Sequence, residues 1–272
     1  MDDELDSPYR GRGIITAIQV LGVVAVVAWG VSIWAASGAS AERAASADSQ
    51  IAIATIEPAS PPLAPVPPPT TVEAADVAAT PLPSGISAQV DPAWITAVSA
   101  TSGIPTRVLS AYAGASLQLA AEQPSCRLGW TTLAAIGQIE SNHGRFGGAT
   151  VLESGYSDPK IVGPELSGGA YAGIRDSDDG LWDGDAKWDR AVGPMQFIPQ
   201  TWARWGADGN GDALAEPVQV DDAALAAARY LCHAGDLSNP ITWRAAVFSY
   251  NHSDEYVDDV AAVANRVNGI LG

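Results

Sequence analysis

The chain has 272 residues, of which 31 are acidic and 14 are lysine or arginine, so its formal net charge is −17. An acidic surface repels nucleic acid and anionic lipid, which argues against both as ligands. The first ninety residues do not have the composition of a folded domain, which leaves about 180 residues, enough for one sizeable core.

The N-terminal region contains a candidate membrane anchor. Residues 1–13 form a short polar head with Arg10 and Arg12, and residues 14–36 carry no charge. At about 1.5 Å per residue, that apolar stretch spans a bilayer core of about 30 Å. Only Arg43 follows soon after it, so the excess of basic residues before the span predicts a cytoplasmic N-terminus and an extracytoplasmic main domain. The small residues of "SGASAERA" resemble a signal-cleavage site, which leaves secretion as an alternative.

A linker is predicted between the anchor and the main domain. Residues 37–90 are rich in alanine, proline, serine and threonine, most densely in "PASPPLAPVPPPTT". Proline removes hydrogen-bond donors and favours extended polyproline II, so we expect a semi-stiff spacer without a core. The folded domain is then predicted to cover residues 91–272.

Helix signals dominate the predicted domain. Asp91 before Pro92, Asn239 before Pro240, and Ser253 are all suitable N-caps, and Thr131 or Thr132 would cap a further helix. The predicted helices cover residues 92–102, 105–121, 132–141, 199–205, 222–233, 240–250 and 254–268. Residues 151–190 are dense in glycine and aspartate and predict a long loop. No stretch alternates over the length of a strand, so the sequence predicts an all-α domain.

Glu140 occupies an unusual position for an acid. It shares one helical face with Leu133, Ile136 and Gly137, and it precedes the helix-stopping "NHG". Burial and the negative end of the helix dipole both disfavour a charged carboxylate, so both raise its pKa. A carboxyl that keeps its proton near neutral pH suits general acid catalysis. The alternative is a structural glutamate paired with an arginine such as Arg145.

Two further segments have polar side chains that could line a cleft and form hydrogen bonds with the hydroxyl or N-acetyl groups of a sugar. In "AVGPMQFIPQTW", Gln196 lies between two apolar neighbours, and in an extended segment its amide would point away from them. In "SYNHSDEY", Tyr250 and Asn251 lie where one helix ends and another begins, although ordinary capping would also explain them.

The segment 208–222 resembles a calcium loop. Asp208, Asn210 and Asp212 take positions 1, 3 and 5 of that pattern, and Asp221 or Asp222 could close a slightly longer loop. Ala213 stands where the pattern wants glycine. A degenerate calcium site and an ordinary turn rich in Asp and Asn are both open on this pattern.

The two cysteines, Cys126 and Cys232, do not form a metal-binding motif. In an exported domain they predict one disulfide, and two buried thiols are the alternative. The three histidines are isolated, and the chain lacks HExxH, GxSxG, P-loop and GxGxxG motifs, so zinc peptidases, α/β-hydrolases and nucleotide-binding enzymes are disfavoured.

Together, four segments resemble the lytic murein transglycosylase B family in its actinobacterial form, over about residues 91–272. They read "ESNHGRFGG", "AVGPMQFIPQTWARWGADGNGD", "DDAALAAARYLC" and "SYNHSDEYVDDVAAVANRV". The resemblance implies a lysozyme-like helical fold and a peptidoglycan lyase with Glu140 as its single acid/base. It also implies a calcium loop in which Asp222 is the later ligand, a disulfide near the catalytic helix, and no required cofactor. The implied sugar-cleft positions are Ser141, Gln196, Tyr250, Asn251 and Tyr256.

The expected reaction cleaves the β-1,4 bond between N-acetylmuramic acid and N-acetylglucosamine and closes a 1,6-anhydro ring. A hydrolytic muramidase is the close alternative, because the run Asp176, Asp178, Asp179, Asp183 and Asp185 could supply the second carboxylate that hydrolysis normally needs. The other alternative is an inactive peptidoglycan-binding scaffold for proteins of cell-wall synthesis or division.

Overall fold

The computed structural model describes residues 85–169 and 172–271, and these are mainly helical, as predicted. The predicted head, the membrane anchor at residues 14–36 and the linker up to residue 84 lie outside the described residues. Within the described part, no helix has both the length and the apolar character needed to cross a membrane.

Seven α-helices correspond to the seven predicted ones. They are α1 (Pro92–Ser102), α2 (Thr106–Glu122), α3 (Trp130–Ser141), α4 (Pro199–Trp205), α5 (Val220–Cys232), α6 (Pro240–Tyr250) and α7 (Asp254–Leu271). Short 3-10 helices cover Ile86–Gln89 and Phe146–Gly148. The predicted caps of α1 and α6 are confirmed, because Asp91 accepts a hydrogen bond from the Ala93 N–H and Asn239 accepts one from the Ile241 N–H.

The predicted start of α3 is wrong. Gly129 precedes the helix, and Thr131 and Thr132 lie inside it, both buried. The Thr132 hydroxyl accepts a hydrogen bond from Trp243 Nε1 at 3.1 Å, so it joins α3 to α6 and does not cap the helix. A local capping pattern cannot reveal that tertiary partner.

Helix α5 begins two residues before its predicted start. The side-chain oxygen of Gln219 accepts hydrogen bonds from the backbone N–H groups of Asp221 and Asp222. Through these two hydrogen bonds Gln219, which is fully buried, serves as the N-cap of α5. Glutamine is not among the usual N-cap residues, so the sequence pattern did not identify it.

The folded domain begins before Asp91, the first residue expected in it. Ile86 and Val90 are buried in the core, and the Ile86 N–H donates to the Gly209 carbonyl at 2.8 Å. A Cβ atom on Gly114 of α2 would lie 2.3 Å from the Ile86 carbonyl oxygen, so this contact depends on the missing side chain. At least the last residues of the predicted linker are thus part of the domain.

The segment predicted as one loop, residues 151–190, overlaps four short strands among the described residues. They are β1 (Thr150–Val151), β2 (Ser157–Asp158), β3 (Val162–Glu165) and β4 (Arg190–Val192). β1 pairs with β2 and β3 pairs with β4, both antiparallel. Strands of two to four residues are too short to show a recognisable alternation, which explains why the sequence did not predict them.

Helix α2 lies at the centre of the core. It packs against α5, whose buried alanines allow a close approach, and α3 packs against both α2 and α7. On α3, a Cβ atom on Gly137 would lie 1.9 Å from the Tyr112 hydroxyl of α2. Packing α3 between α2 and α7 is what places Glu140 opposite residues of α7.

The predicted disulfide is confirmed. Cys126 follows α2 and Cys232 ends α5, and the two are bonded across 106 residues of sequence with a Cα–Cα distance of 5.3 Å. Both cysteines are buried. The bond fixes the connection between α2 and α3 to the core helix α5.

Candidate active site

Glu140 lies in the last turn of α3, half-buried, above the buried residues Leu133, Ile136 and Gly137. The predicted apolar face is therefore present. Loss of hydration raises the pKa of Glu140 to about 7, and a hydrogen bond from Tyr256 acts in the opposite direction. Near neutral pH, a substantial fraction of Glu140 keeps its proton.

Tyr256 of α7 is the direct partner of Glu140. Its hydroxyl donates to Glu140 Oε1 at 2.6 Å, and the side chain is buried. Burial raises the pKa of Tyr256 well above its ordinary value, and the charge of Glu140 adds to that increase. Tyr256 therefore remains a neutral donor at any pH at which the domain would work.

Tyr250, the last residue of α6, lies in the same surroundings. Burial raises the pKa of its hydroxyl well above the ordinary value, with a further contribution from the charge of Glu140. The hydroxyl donates to the Met195 carbonyl at 2.8 Å. The ring packs edge-on against Phe197 and Tyr230, which fixes its orientation.

Ser141, the last residue of α3, joins that helix to the segment that contains Pro194 and Met195. Its hydroxyl donates to the Pro194 carbonyl at 2.6 Å and accepts from the Gly144 N–H at 2.8 Å. Ser141 and Tyr250 thus hold two successive carbonyls, those of Pro194 and Met195. Their side chains fix the wall of the site beside Glu140.

Gln196 is placed in a turn and not in the extended segment that was expected. Val192 pairs with Phe197, and Gln196 between them has a φ of 49°. Its side-chain nitrogen donates to the Gly193 carbonyl at 2.9 Å. A Cβ atom on Gly163 of β3 would lie 2.8 Å from Gln196 Oε1, so the amide also lies directly against β3. Gln196 is half-buried, between the buried residues Met195 and Phe197.

Asn251 follows Tyr250 and is 3% exposed. Its Oδ1 atom is buried and has no hydrogen-bond partner among the described residues. An unpaired buried amide oxygen is costly, so this atom is a candidate acceptor for a ligand or for water.

Two residues beneath Glu140 were not identified as part of the site. Tyr112 of α2 and His143 are both buried, and Tyr112 Oη lies 3.5 Å from His143 Nδ1. The close approach of α2 to Gly137 brings them there. A glycine one turn before Glu140 was the sequence signal for a close neighbour, but it could not say which residue that neighbour is.

In the segment 208–222, the aspartate side chains accept hydrogen bonds from backbone N–H groups of the same segment. Asp208 accepts from the N–H groups of Gly211 and Ala213, and Asp212 accepts from the Leu214 N–H. Asp222 accepts from three N–H groups, those of Gly209, Asn210 and Glu216. Burial raises the pKa of Asp222 to about 6.

These contacts decide how well the loop fits calcium. Among the described residues, Asp208, Asp212 and Asp222 do not converge into a cluster of carboxylate oxygens, whereas Asp176, Asp178 and Asp189 do. The oxygens of Asp222 are directed to backbone donors. The calcium loop therefore remains a prediction, and no chemical step is assigned to a metal.

The acidic run between β3 and β4 binds mainly its own segment. Asp176 accepts from the Asp178 and Gly180 N–H groups, and Asp183 accepts from the Asp185 and Arg190 N–H groups. Asp185 pairs with Arg190 at 2.8 Å. Asp183, Asp185 and Arg190 also line an open cavity of about 450 Å³ together with Val162 and Gly163. These carboxylates mainly shape the loop.

Replacing Tyr256 with phenylalanine is expected to raise the pKa of Glu140 above about 7. The Tyr256 hydrogen bond stabilises the charged carboxylate, so its removal favours the protonated form, by about one pKa unit. Titration of the Glu140 carboxyl by ¹³C NMR measures this change. Tyr230→Phe is the matched control, because its hydroxyl binds the Ser249 carbonyl. A pKa that falls in Tyr256→Phe would contradict the assigned hydrogen bond.

No protein-family model, curated protein or solved structure matches this chain.

Proposed function

We propose that the protein is a peptidoglycan lytic transglycosylase with a lysozyme-like fold, related to the lytic murein transglycosylase B family. The observation that carries this proposal is Glu140, a half-buried carboxyl with a pKa raised to about 7 and a tyrosine hydroxyl 2.6 Å from one oxygen. A protonated carboxyl at neutral pH is what cleavage of a glycosidic bond requires of a general acid.

In the first step, Glu140 donates its proton to the oxygen between N-acetylmuramic acid and N-acetylglucosamine. The bond from C1 of the muramic residue to that oxygen breaks, and N-acetylglucosamine leaves with a new hydroxyl. The N-acetyl group of the muramic residue stabilises the positive charge at C1. Tyr256 stabilises the carboxylate that Glu140 becomes, because its neutral hydroxyl still donates to Oε1.

In the second step, the Glu140 carboxylate takes the proton of the muramic C6 hydroxyl. The C6 oxygen bonds to C1 and closes the 1,6-anhydro ring, which returns Glu140 to its protonated form. No water is consumed, so one carboxyl serves both steps as acid and then as base. A pKa near the working pH suits a group that must do both.

The surroundings of Glu140 favour this lyase over the hydrolytic alternative. A hydrolase normally uses two carboxylates about 5 to 9.5 Å apart. Loss of hydration raises the pKa of Glu140 and the Tyr256 hydrogen bond lowers it. The acidic run that could have supplied one is hydrogen-bonded largely to its own backbone.

The other proposed cleft residues divide into two groups. Ser141 and Tyr250 hold the carbonyls of Pro194 and Met195, so their contribution is to fix the wall on which Gln196 sits. The unpaired Oδ1 of Asn251 is suited to accept a hydrogen bond from a sugar hydroxyl or an N-acetyl N–H. The proposed location is outside the cytoplasmic membrane, and the disulfide supports it because disulfides persist in oxidising compartments.

Analysis of the products separates the two reactions. The purified full-length chain, kept in detergent, is incubated with peptidoglycan, and the released fragments are analysed by mass spectrometry. We expect muramic ends that are lighter by one water than those released by a muramidase and that resist borohydride reduction. Reducible ends would replace the lyase with a hydrolase, and an absence of released fragments would favour the binding scaffold.

A further inference from the structure

Tyr112 and His143 both contact α3 at Gly137, one turn before Glu140. Tyr112 belongs to α2, and its hydroxyl lies so close to Gly137 that a Cβ atom there would be 1.9 Å away. Gly137 and Glu140 are three residues apart and share one face of α3. The Tyr112 hydroxyl therefore contacts the same helical face one turn before the carboxyl.

His143 reaches this place through an unusual backbone path. Asn142, His143 and Gly144 all have positive φ angles, 52°, 59° and 74°. The N–H of His143 donates to the Gly137 carbonyl at 2.9 Å, which turns the chain back under α3. Two consecutive residues other than glycine in the left-handed region cost free energy, and such conformations persist where the surroundings enforce them. Here they bury an imidazole that would otherwise be exposed to solvent.

The side chains of Tyr112 and His143 are buried together, and their polar atoms face each other. His143 is 4% exposed and Tyr112 is fully buried, and Tyr112 Oη lies 3.5 Å from His143 Nδ1. Their rings are 5.9 Å apart and tilted. When the proton of the neutral imidazole is on Nε2, the Tyr112 hydroxyl donates to Nδ1.

We infer that Tyr112 and His143 are a positioning pair for Glu140. The pair ties the last turn of α3 to α2 and keeps an uncharged surface behind the carboxyl, so that Glu140 is held against Tyr256 with its proton retained. In its kinetic consequences this inference rests on the proposed function. The effect on the protonation of Glu140 can be measured without any turnover.

The charges around the pair agree with this role. Burial and the neighbouring Arg145 both lower the pKa of His143, to about 4, so the imidazole is neutral near pH 7. Burial raises the pKa of Tyr112 above its ordinary value, so the phenol is neutral too. The hydroxyls of Tyr250 and Tyr256, whose pKa values burial and the charge of Glu140 raise, are neutral as well. A positive charge on His143 would add an attraction that lowers the pKa of Glu140.

The decisive variants are Tyr112→Phe and His143→Gln. Tyr112→Phe removes only the hydroxyl, and His143→Gln keeps a neutral hydrogen-bonding side chain of similar length. Loosening the turn lets water reach the carboxyl, so Tyr112→Phe is expected to lower the pKa of Glu140 by about one unit. We expect kcat on peptidoglycan to fall about tenfold while KM stays within about twofold, because substrate contacts are retained and only the acid is misplaced. In His143→Gln, the pKa of Glu140 and kcat should change in the same direction but by less than in Tyr112→Phe.

Tyr156→Phe is the matched control, because it also deletes one tyrosine hydroxyl, which binds Glu216 outside this site. The pKa of Glu140 is read by ¹³C NMR and, independently, from the pH dependence of kcat/KM. If Tyr112→Phe lowers only the melting temperature, as Tyr156→Phe would, the pair is structural and the inference is overturned. If the chain has no activity but the NMR shift appears, the proposed function fails and the positioning of Glu140 stands. If Tyr112→Phe does not fold, His143→Gln decides the question. A fall in the pKa of Glu140 that is smaller than about one unit but clearly measurable supports the inference, and a pKa and kcat equal to those of wild type overturn it.

Discussion

Replacing Glu140 with glutamine is expected to reduce turnover of peptidoglycan by about a thousandfold or more and, at the same time, to stabilise the fold at alkaline pH. Loss of a positioned acid/base costs roughly 10²- to 10⁴-fold, and here one group serves both steps. The amide has nearly the same size and shape as the carboxyl, so the site keeps its geometry. Release of soluble fragments measures the loss of turnover.

The stability effect follows from the raised pKa of Glu140, from 4.5 to about 7. The carboxyl contributes its full share of stability below pH 4.5, and that share is lost as the pH rises through 7, because the folded state must then hold a poorly hydrated charge. Glutamine does not titrate. At pH 8 the variant should exceed wild type in its free energy of unfolding by about 3 kcal/mol, with the difference shrinking towards pH 4.

Urea unfolding at pH 4.5 and pH 8 tests both halves of this expectation. Glu153→Gln is the control, since Glu153 is exposed and its side chain forms no hydrogen bond among the described residues. Full activity in Glu140→Gln would exclude Glu140 as the acid. A variant that loses activity but gains no stability at pH 8 would show that Glu140 is well hydrated, contrary to the site described above.

Removing the disulfide by Cys126→Ala together with Cys232→Ala is expected to lower the free energy of unfolding by about 4 to 5 kcal/mol. The bond closes 106 residues of chain, and in the chain-entropy description a loop of about 100 residues gives that magnitude. Alanine is chosen over serine, because a serine hydroxyl at either of these buried positions would lack a hydrogen-bond partner. Urea unfolding of oxidised protein measures the difference.

Reduction of the wild-type protein provides the control for this experiment. Reductant should lower the stability of wild type towards that of the double variant and leave the variant unchanged. A difference below about 1 kcal/mol would mean that the α2–α3 connection is held to α5 by packing alone.

Much of the helical architecture could be predicted from local signals. Asp91 before Pro92 and Asn239 before Pro240 cap their helices as expected, since a cap acts within three residues of itself. The apolar face below Glu140 was equally visible from spacing. The start of α3 was missed because the Thr132 hydroxyl has its partner on Trp243, 111 residues away.

Part of the candidate site could also be predicted from local spacing. Periodicity indicated a poorly hydrated Glu140, but it could not indicate Tyr112 and His143, because their position depends on how α2 crosses Gly137. The turn at Gln196 was also missed. Its positive φ is unusual for glutamine and results from the pairing of Val192 with Phe197.

The hydrogen bond between Glu140 and Tyr256 joins residues 116 positions apart. Because a chain is made from its N-terminus, α3 exists well before α7, and a nascent chain that ends before α7 has no hydroxyl to set against Glu140. An enzyme of the proposed kind would be hazardous to the wall of its own cell if it worked while half made. The hydrogen bond between Glu140 and Tyr256 can form only after α7 has been synthesised. A protease that cuts between α6 and α7 and releases α7 would remove Tyr256 from the site without cutting near Glu140.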